Sequence, residues 1–407
     1  RWFGENYKDL MSWAVAGIGR GTQDGLVGGS LQGNLPTRNF GVPLFEHAEL
    51  LSGERNYEMV LKDRDTCQGC PVSCKQVFGH EDEDPSRSFD PVYGGPEYEA
   101  MGALGSACDV SDNVAVCKAN ELCNAYGLDV ISAGMSIAFV MECYENGILT
   151  TEDTGGLEFH WGDGEMLVRS VGMIARREGF GDVMAEGVAR MAARFGPESE
   201  PFNITVKGQE LPMHEPRLKH AMGVGYAVAP VGADHMMNMH DTMFARDGRS
   251  IQQVNSALSE PIGPVPKDVL DEDKLKIFEN ELNFKHFEDC ALICHFYSFD
   301  YDHLAEALSG VSGVEYGIHD ILAVGARTQT LARLFNLREG FTAGDDRLPE
   351  RMMTAFDSGP IEGSAIASED LTRFKRRFYE VMGWDPETGE PTEECLRELG
   401  LDRLLAF

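Results

Sequence analysis

The chain has 407 residues, 43% hydrophobic, 9% aromatic and 25% charged, with a formal net charge of −32. That length supports two domains with buried cores, and that balance excludes a largely disordered chain. It also argues against a nucleic-acid partner, whose phosphates the surface would repel. No stretch is long and apolar enough to span a bilayer, and the start, RWFGENYKDL, lacks the pattern of a secretory signal, so a cytoplasmic protein is expected. Its 10 Cys are then read as metal or redox residues, or as small core residues, rather than as a disulfide framework.

In chain order, the first informative stretch is DTCQGCPVSCKQ, where Cys67, Cys70 and Cys74 are separated by two and then three residues. A loop of this spacing brings three thiolates to adjacent corners of a metal cluster. Structural zinc normally takes a second closely spaced pair, and only isolated candidates lie downstream, so an iron–sulfur cluster is favoured over zinc. Residues 79–95, rich in Pro, Gly and Asp, read as a loop.

The following segments are spaced as helices. In SDNVAVCKANELCNAYGLD, Ala115, Ala119, Leu122, Cys123 and Tyr126 share a face, with Ser111 or Asp112 placed to cap the start and Gly127 to end it. Cys108, Cys117, Cys123 and Cys143 fall in such patterns and read as small core residues. Helices are also expected near 130–146 and 164–178, and one over DVMAEGVARMAARFG. FGPESEP then suggests a boundary near residue 197, giving helical domains 1–197 and 198–407. FNITVKG, at 202–208, is the best strand candidate. Further helices are expected near 270–283, 317–335 and 368–382. The fold class is mainly α: two packed helical domains.

FEDCALICHFYSFD offers Cys290 and Cys294 as a distant fourth cluster ligand. Spacing does not choose between them.

Several segments together resemble the tungsten- and pterin-dependent aldehyde ferredoxin oxidoreductase family: NLPTRNF, the triple-Cys loop, GPEYEAMGALGS, NAYGLDVIS, VKGQELPMHEPR, GYAVAPVGADH and DCALIC. The likeness runs in family order from about residue 30 to 300, more weakly beyond. It implies the second and third, helical domains of that family. Family members begin with a β-rich domain covering one pterin face, which nothing here matches, so a truncated form is expected.

The resemblance implies two pterin motifs, D-x-x-G-L-D and D-x-x-G-L-C. The first falls on Asn124, Gly127, Leu128 and Asp129, with Asn124 where Asp is usual. The second falls on Asp289, Leu292 and Ile293, with Leu292 and Ile293 in place of Gly-Leu. Its last residue, Cys294, is thereby implied as the fourth ligand of a [4Fe-4S] cluster, and Cys290 is left as core. Glu97 and His235 are implied as groups beside a tungsten (or molybdenum) bis-pterin; the structural alternatives are a helix cap and a core histidine. Arg217, after Pro216 in HEPR, is a candidate to hold a carboxylate or pterin phosphate, with a structural salt bridge as the alternative.

The implied activity is oxidation of an aldehyde to a carboxylic acid with ferredoxin as electron acceptor, and the resemblance leaves a homodimer open. The alternatives are a relative that reduces an aryl-CoA or another acid-level substrate, and a cluster-bearing electron-transfer subunit.

Overall fold

The computed structural model describes residues 20–70, 72–296 and 299–403. Helices dominate, as the apolar spacing predicts, and form two compact units. One runs to Glu215 and takes in Pro349–Ser364; the other holds Pro216–Leu348 and the rest of the C-terminal part.

The first unit contains α1 (Leu26–Leu31), α2 (Gly53–Met59), the antiparallel pair β1 (Leu61–Asp65) and β2 (Lys75–Phe78), α3 (Tyr98–Leu104), α4 (Asn113–Tyr126), α5 (Val130–Glu145), α6 (Gly164–Arg176), α7 (Gly181–Met184), α8 (Val188–Phe195) and the two-residue strands β3 (Thr205–Val206) and β4 (Gln209–Glu210). Its core lies around α5, whose Met135, Ile137, Phe139 and Val140 are fully buried. α3 and α8 both pack on this helix.

Side chains fix where these helices begin. Asp112 caps α4 through Val114 N–H and Ala115 N–H, Asp129 caps α5 through Ser132 N–H, and Asp163 caps α6 through Met166 N–H. The single helix expected over 182–196 is broken at Gly187, whose φ of 81° leaves the helical region. FNITVKG contributes a strand only at Thr205–Val206.

The stretch around 197 is not where the units divide. Ser199 Oγ donates to the carbonyls of Ala192 and Gly196, which folds this segment back onto the end of α8. Pro349–Ser364 is fastened to the first unit by Arg351, whose guanidinium donates to both carboxylate oxygens of Glu142 (3.0 and 2.6 Å) and to the carbonyl of Asn39 (2.5 Å).

The second unit contains α9 (His220–Val228), α10 (Arg249–Asn255), α11 (Glu272–Cys290), α12 (Tyr301–Ser312), α13 (Ile318–Arg338), α14 (Ser368–Val381) and α15 (Glu393–Glu398). α11 and α13 form its central pair. Gly325 allows their approach: a Cβ there would lie 1.7 Å from the carbonyl oxygen of Asn283. Phe284, Phe287, Tyr301, Leu304 and Ile321 make one apolar cluster beside this pair. Phe278 makes edge contacts with Phe374 and Phe378 of α14. The wholly buried Asp241 accepts from Lys274 and from Ala221 N–H and Met222 N–H at the start of α9. A paired, fully hydrogen-bonded carboxylate is the form in which charge tolerates burial.

α11 runs to Cys290, past the end at 283 expected from its pattern. Asn280, Glu281, Asn283, His286 and Glu288 are all buried, so the helix is enclosed on polar faces as well as apolar ones.

Candidate cofactor and proton-transfer site

β1 pairs with β2 from Leu61–Phe78 to Asp65–Lys75, so the three closely spaced cysteines lie in the loop at the end of a hairpin. Cys70 N–H donates to the Cys67 carbonyl (2.9 Å), Thr66 Oγ1 donates to the Cys70 carbonyl (2.6 Å), and Arg64 Nη2 reaches Ser73 O (2.7 Å). The loop is therefore a shaped turn. Cys67 is exposed and Cys70 and Cys74 half-buried.

The other cysteines of this unit differ in kind. Cys108, Cys117, Cys123 and Cys143 are buried, as the pattern predicts. Burial pushes their thiols up, to about 12 for Cys123 and Cys143. These four are spread through the buried core, whereas the hairpin loop sets three exposed or half-buried thiols on one turn and is this unit's fitting sulfur donor set for a cluster. In the second unit Cys294 and Cys290 are both exposed. Cys290, expected in a core, instead lies at the end of α11 with Sγ 3.2 Å from Thr328 Oγ1.

The two pterin motifs have one local structure. In the first unit α4 ends with Leu128 N–H donating to Cys123 O (2.8 Å) and Gly127 N–H to Asn124 O (3.3 Å), with Gly127 at φ 69°. In the second, α11 ends with Ile293 N–H donating to Glu288 O (2.9 Å) and Leu292 N–H to Asp289 O (3.2 Å), with Leu292 at φ 56°. Both are helix-ending turns through a left-handed residue. They expose Asn124, Asp129, Asp289 and Leu292. Asn124 Nδ2 donates to Tyr93 O (3.0 Å) while no donor among the described residues reaches its Oδ1, and Asp129 uses one oxygen in its cap.

Glu97 stands immediately before α3 but makes no side-chain cap bond there. It accepts instead from Thr22 Oγ1, which in turn accepts from Tyr98 N–H (2.8 Å). Glu97 keeps surface open to solvent while packed against protein mass. Burial pushes its carboxyl up, against the opposing effects of the Thr22 bonds and the Lys75 charge.

The sequence reading missed Glu99, two residues on. Its Oε1 lies 3.3 Å from His214 Nε2, both side chains largely buried, and its Oε2 accepts from Met213 N–H (2.7 Å). His214 Nδ1 is 3.1 Å from Asn34 Nδ2. Tyr98 stacks on His214 (5.1 Å, 23°) and donates to Met213 O (2.9 Å); burial holds its phenol well above the usual range. Two glutamates flanking one tyrosine in GPEYE are visible in the sequence, but the partner histidine is not.

In the second unit His235 is half-buried. The preceding residue, Asp234, accepts from Met236 N–H (2.6 Å) and Met237 N–H (2.9 Å), a tight turn that fixes the segment. The His240 ring packs edge-on to His235 at 6.3 Å, with Nδ1 3.2 Å from Lys219 Nζ. Burial first, then the Lys219 charge, hold His240 well below the usual imidazole range, so it is neutral. Arg217 is fully buried in this unit.

Residues 6–401 match the family model for aldehyde ferredoxin oxidoreductase, domains 2 and 3. The chain belongs to this family. Among its relatives, the tungsten-containing aldehyde ferredoxin oxidoreductases of Pyrococcus abyssi and Thermococcus kodakarensis are 33% and 34% identical over 383 and 379 residues, 92% of this chain and 58% of each relative. An aliphatic sulfonate oxidoreductase, WOR-like subunit, of Pyrococcus furiosus is 28% identical over 350 residues, 82% of this chain and 49% of that one. The fold is shared with the active-site complex of benzoyl-coenzyme A reductase in complex with 1,5-dienoyl-CoA, at a TM-score of 0.70 and 19% identity, covering 92% of this chain and 58% of that one. This family member thus spans about 58% of the length of the curated oxidoreductases it matches.

Proposed function

We propose that the protein containing this chain oxidises an aldehyde and water to a carboxylic acid, releasing two electrons and two protons, with the electrons leaving through an iron–sulfur cluster to ferredoxin in the cytoplasm. The observation that carries the reading is the shaped hairpin loop bearing Cys67, Cys70 and Cys74, in a chain with relatives that are tungsten-containing aldehyde ferredoxin oxidoreductases. Cys294 would complete a [4Fe-4S] site. A bound tungsten or molybdenum bis-pterin supplies the two-electron oxygen-transfer chemistry.

The chain's own residues supply binding and proton handling. Asn124 keeps an acceptor, and Asp129 a second carboxylate oxygen, for the donor edge of a pterin; Asp289 offers its carboxylate in the second turn. Arg217 is a candidate for an anionic cofactor group. Glu97, whose carboxyl is raised by the protein packed around it, holds its proton to higher pH than a free glutamate does, the direction that suits a proton-transfer group. His235 is the second proton-transfer candidate. Among the described residues no helix is long and apolar enough to cross a membrane.

The test uses the full-length protein, purified natively. Tungsten or molybdenum should accompany iron and sulfide, and an aldehyde panel should drive viologen or ferredoxin reduction. Turnover with benzoyl-CoA in place of aldehydes would move the substrate to the aryl-CoA class. Iron and sulfide without either heavy metal would replace the enzyme reading with an electron-transfer subunit.

A further inference from the structure

We infer that Glu288 and His295 are positioning residues that aim Cys294 at the cluster, an inference that rests on the reading of Cys294 as a cluster ligand. Cys294 is exposed just past the end of α11, where the helix's own hydrogen bonds no longer fix the backbone. Glu288 grips the chain on both sides of it. The Glu288 carbonyl accepts from Ile293 N–H at 2.9 Å, and the Glu288 carboxylate takes the ring of His295, with Nδ1 2.6 Å from Oε2.

The grip is itself held. Glu288 is 2% exposed as a side chain and His295 12%. Lys285 donates to the same Glu288 Oε2 at 2.9 Å, and its ammonium lies 5.6 Å from the centre of the Phe284 ring. The Lys285 ammonium also lies 3.2 Å from His295 Nδ1, so Lys285, Glu288 and His295 close one small buried network around a single carboxylate oxygen. The other ring nitrogen, Nε2, faces Asp289 Oδ1 at 3.5 Å. One imidazole therefore spans from the residue after Cys294 to the aspartate that opens the motif.

The first motif supplies an internal comparison. There the residue equivalent to Glu288 is Cys123, buried and apolar in character, and the residue equivalent to His295 is Val130. That turn has the same backbone and no clamp. It also ends in Asp129 instead of a cysteine. The polar clamp thus accompanies the turn that carries the thiol, and a helix-ending turn does not need it for its own geometry. Partners that orient a metal ligand in this way govern how firmly the metal is held.

The experiment uses the full-length holoenzyme and reads the cluster directly, by the electron paramagnetic resonance of its reduced form and by the rate of iron release to a chelator. His295→Leu removes the clamp while leaving the Lys285–Glu288 pair intact. It should broaden the cluster signal and speed iron release by about 10- to 100-fold. His295→Asn keeps a side-chain donor close to the Nδ1 position and should restore both readouts to near wild type. Circular dichroism and the unfolding temperature identify any variant that has simply lost its fold, and Glu288→Gln, which keeps the side-chain volume, then repeats the test. Unchanged signal and iron release in His295→Leu, or failure of His295→Asn to rescue, overturns the positioning role. Cys294→Ser separates the two levels of the argument: if it keeps four irons and the wild-type signal, the ligand assignment itself is wrong.

Discussion

Gly127 and Leu292 occupy the same step of two equivalent helix-ending turns, at φ 69° and 56°, although only one of them is a glycine. Each turn is closed by the hydrogen bond of the next residue, Leu128 or Ile293, to a carbonyl of the helix just ended. The left-handed region costs a side-chain-bearing residue about 1–2 kcal/mol, and glycine returns part of this through its freer unfolded chain. Leu292 has little packing to set against that cost, being 92% exposed. Leu292→Gly should therefore stabilise the protein by roughly 0.5–1 kcal/mol. Gly127→Ala should destabilise it by a similar amount, since a Cβ there meets nothing within 4 Å and the penalty is purely conformational. Urea unfolding of the two variants checks both signs.

The fourth cluster ligand is decided by a pair of substitutions. Cys294→Ala should abolish the broad visible absorption of the cluster in the full-length protein, whereas Cys290→Ala should retain it. Cys290 is also exposed, and its sulfur lies beside the Thr328 hydroxyl, so the choice does not reduce to burial. Reversed outcomes would move the ligand to Cys290.

How far the sequence could be read depended on which faces were buried against what. Helices with an apolar face and a capping aspartate, such as those beginning after Asp112, Asp129 and Asp163, were legible nearly to the residue. The last turns of α11 were not, because Asn280, Glu281, Asn283 and Glu288 are buried in polar surroundings and erase the hydrophobic period. β1 was missed for the opposite reason: Leu61–Asp65 is exposed along most of its length and reads as a charged loop. At the candidate site, three cysteines announce themselves by spacing, since one loop holds them all. Glu99 and His214 do not, because only the fold brings a first-turn glutamate of α3 against a histidine far along the chain.

Three substitutions separate chemistry from architecture at the proposed proton-transfer residues. Glu97→Gln and His235→Phe, in the intact enzyme, should each lower turnover per bound tungsten by about 10²- to 10⁴-fold, the usual worth of a proton-transfer group, while iron and tungsten contents stay normal. Glu99→Leu should act on the fold as well: it strands Met213 N–H in a largely buried setting, costing about 1–3 kcal/mol. Turnover per tungsten within about threefold of wild type for both of the first two variants would return Glu97 and His235 to structural roles.

Glu279, in the middle of α11, tests burial through pH. Its carboxyl is pushed up from 4.5 to about 7, with burial the cause. The folded protein therefore keeps a proton on Glu279 that the unfolded chain releases, so stability falls as pH rises between these two values. Below about 4.5 both states carry the proton and the residue costs nothing; above about 7 both are ionised and the penalty has reached its plateau. Glu279→Gln removes the titration while preserving shape. The variant should match wild type near pH 4.5 and exceed it at pH 8 by on the order of 2 kcal/mol. Comparing the two proteins at each pH cancels the titration of the other carboxylates, which are common to both and act independently when distant. A stability difference that stays constant from pH 4.5 to 8, or narrows as pH rises, would show that Glu279 does not pay for its burial in charge.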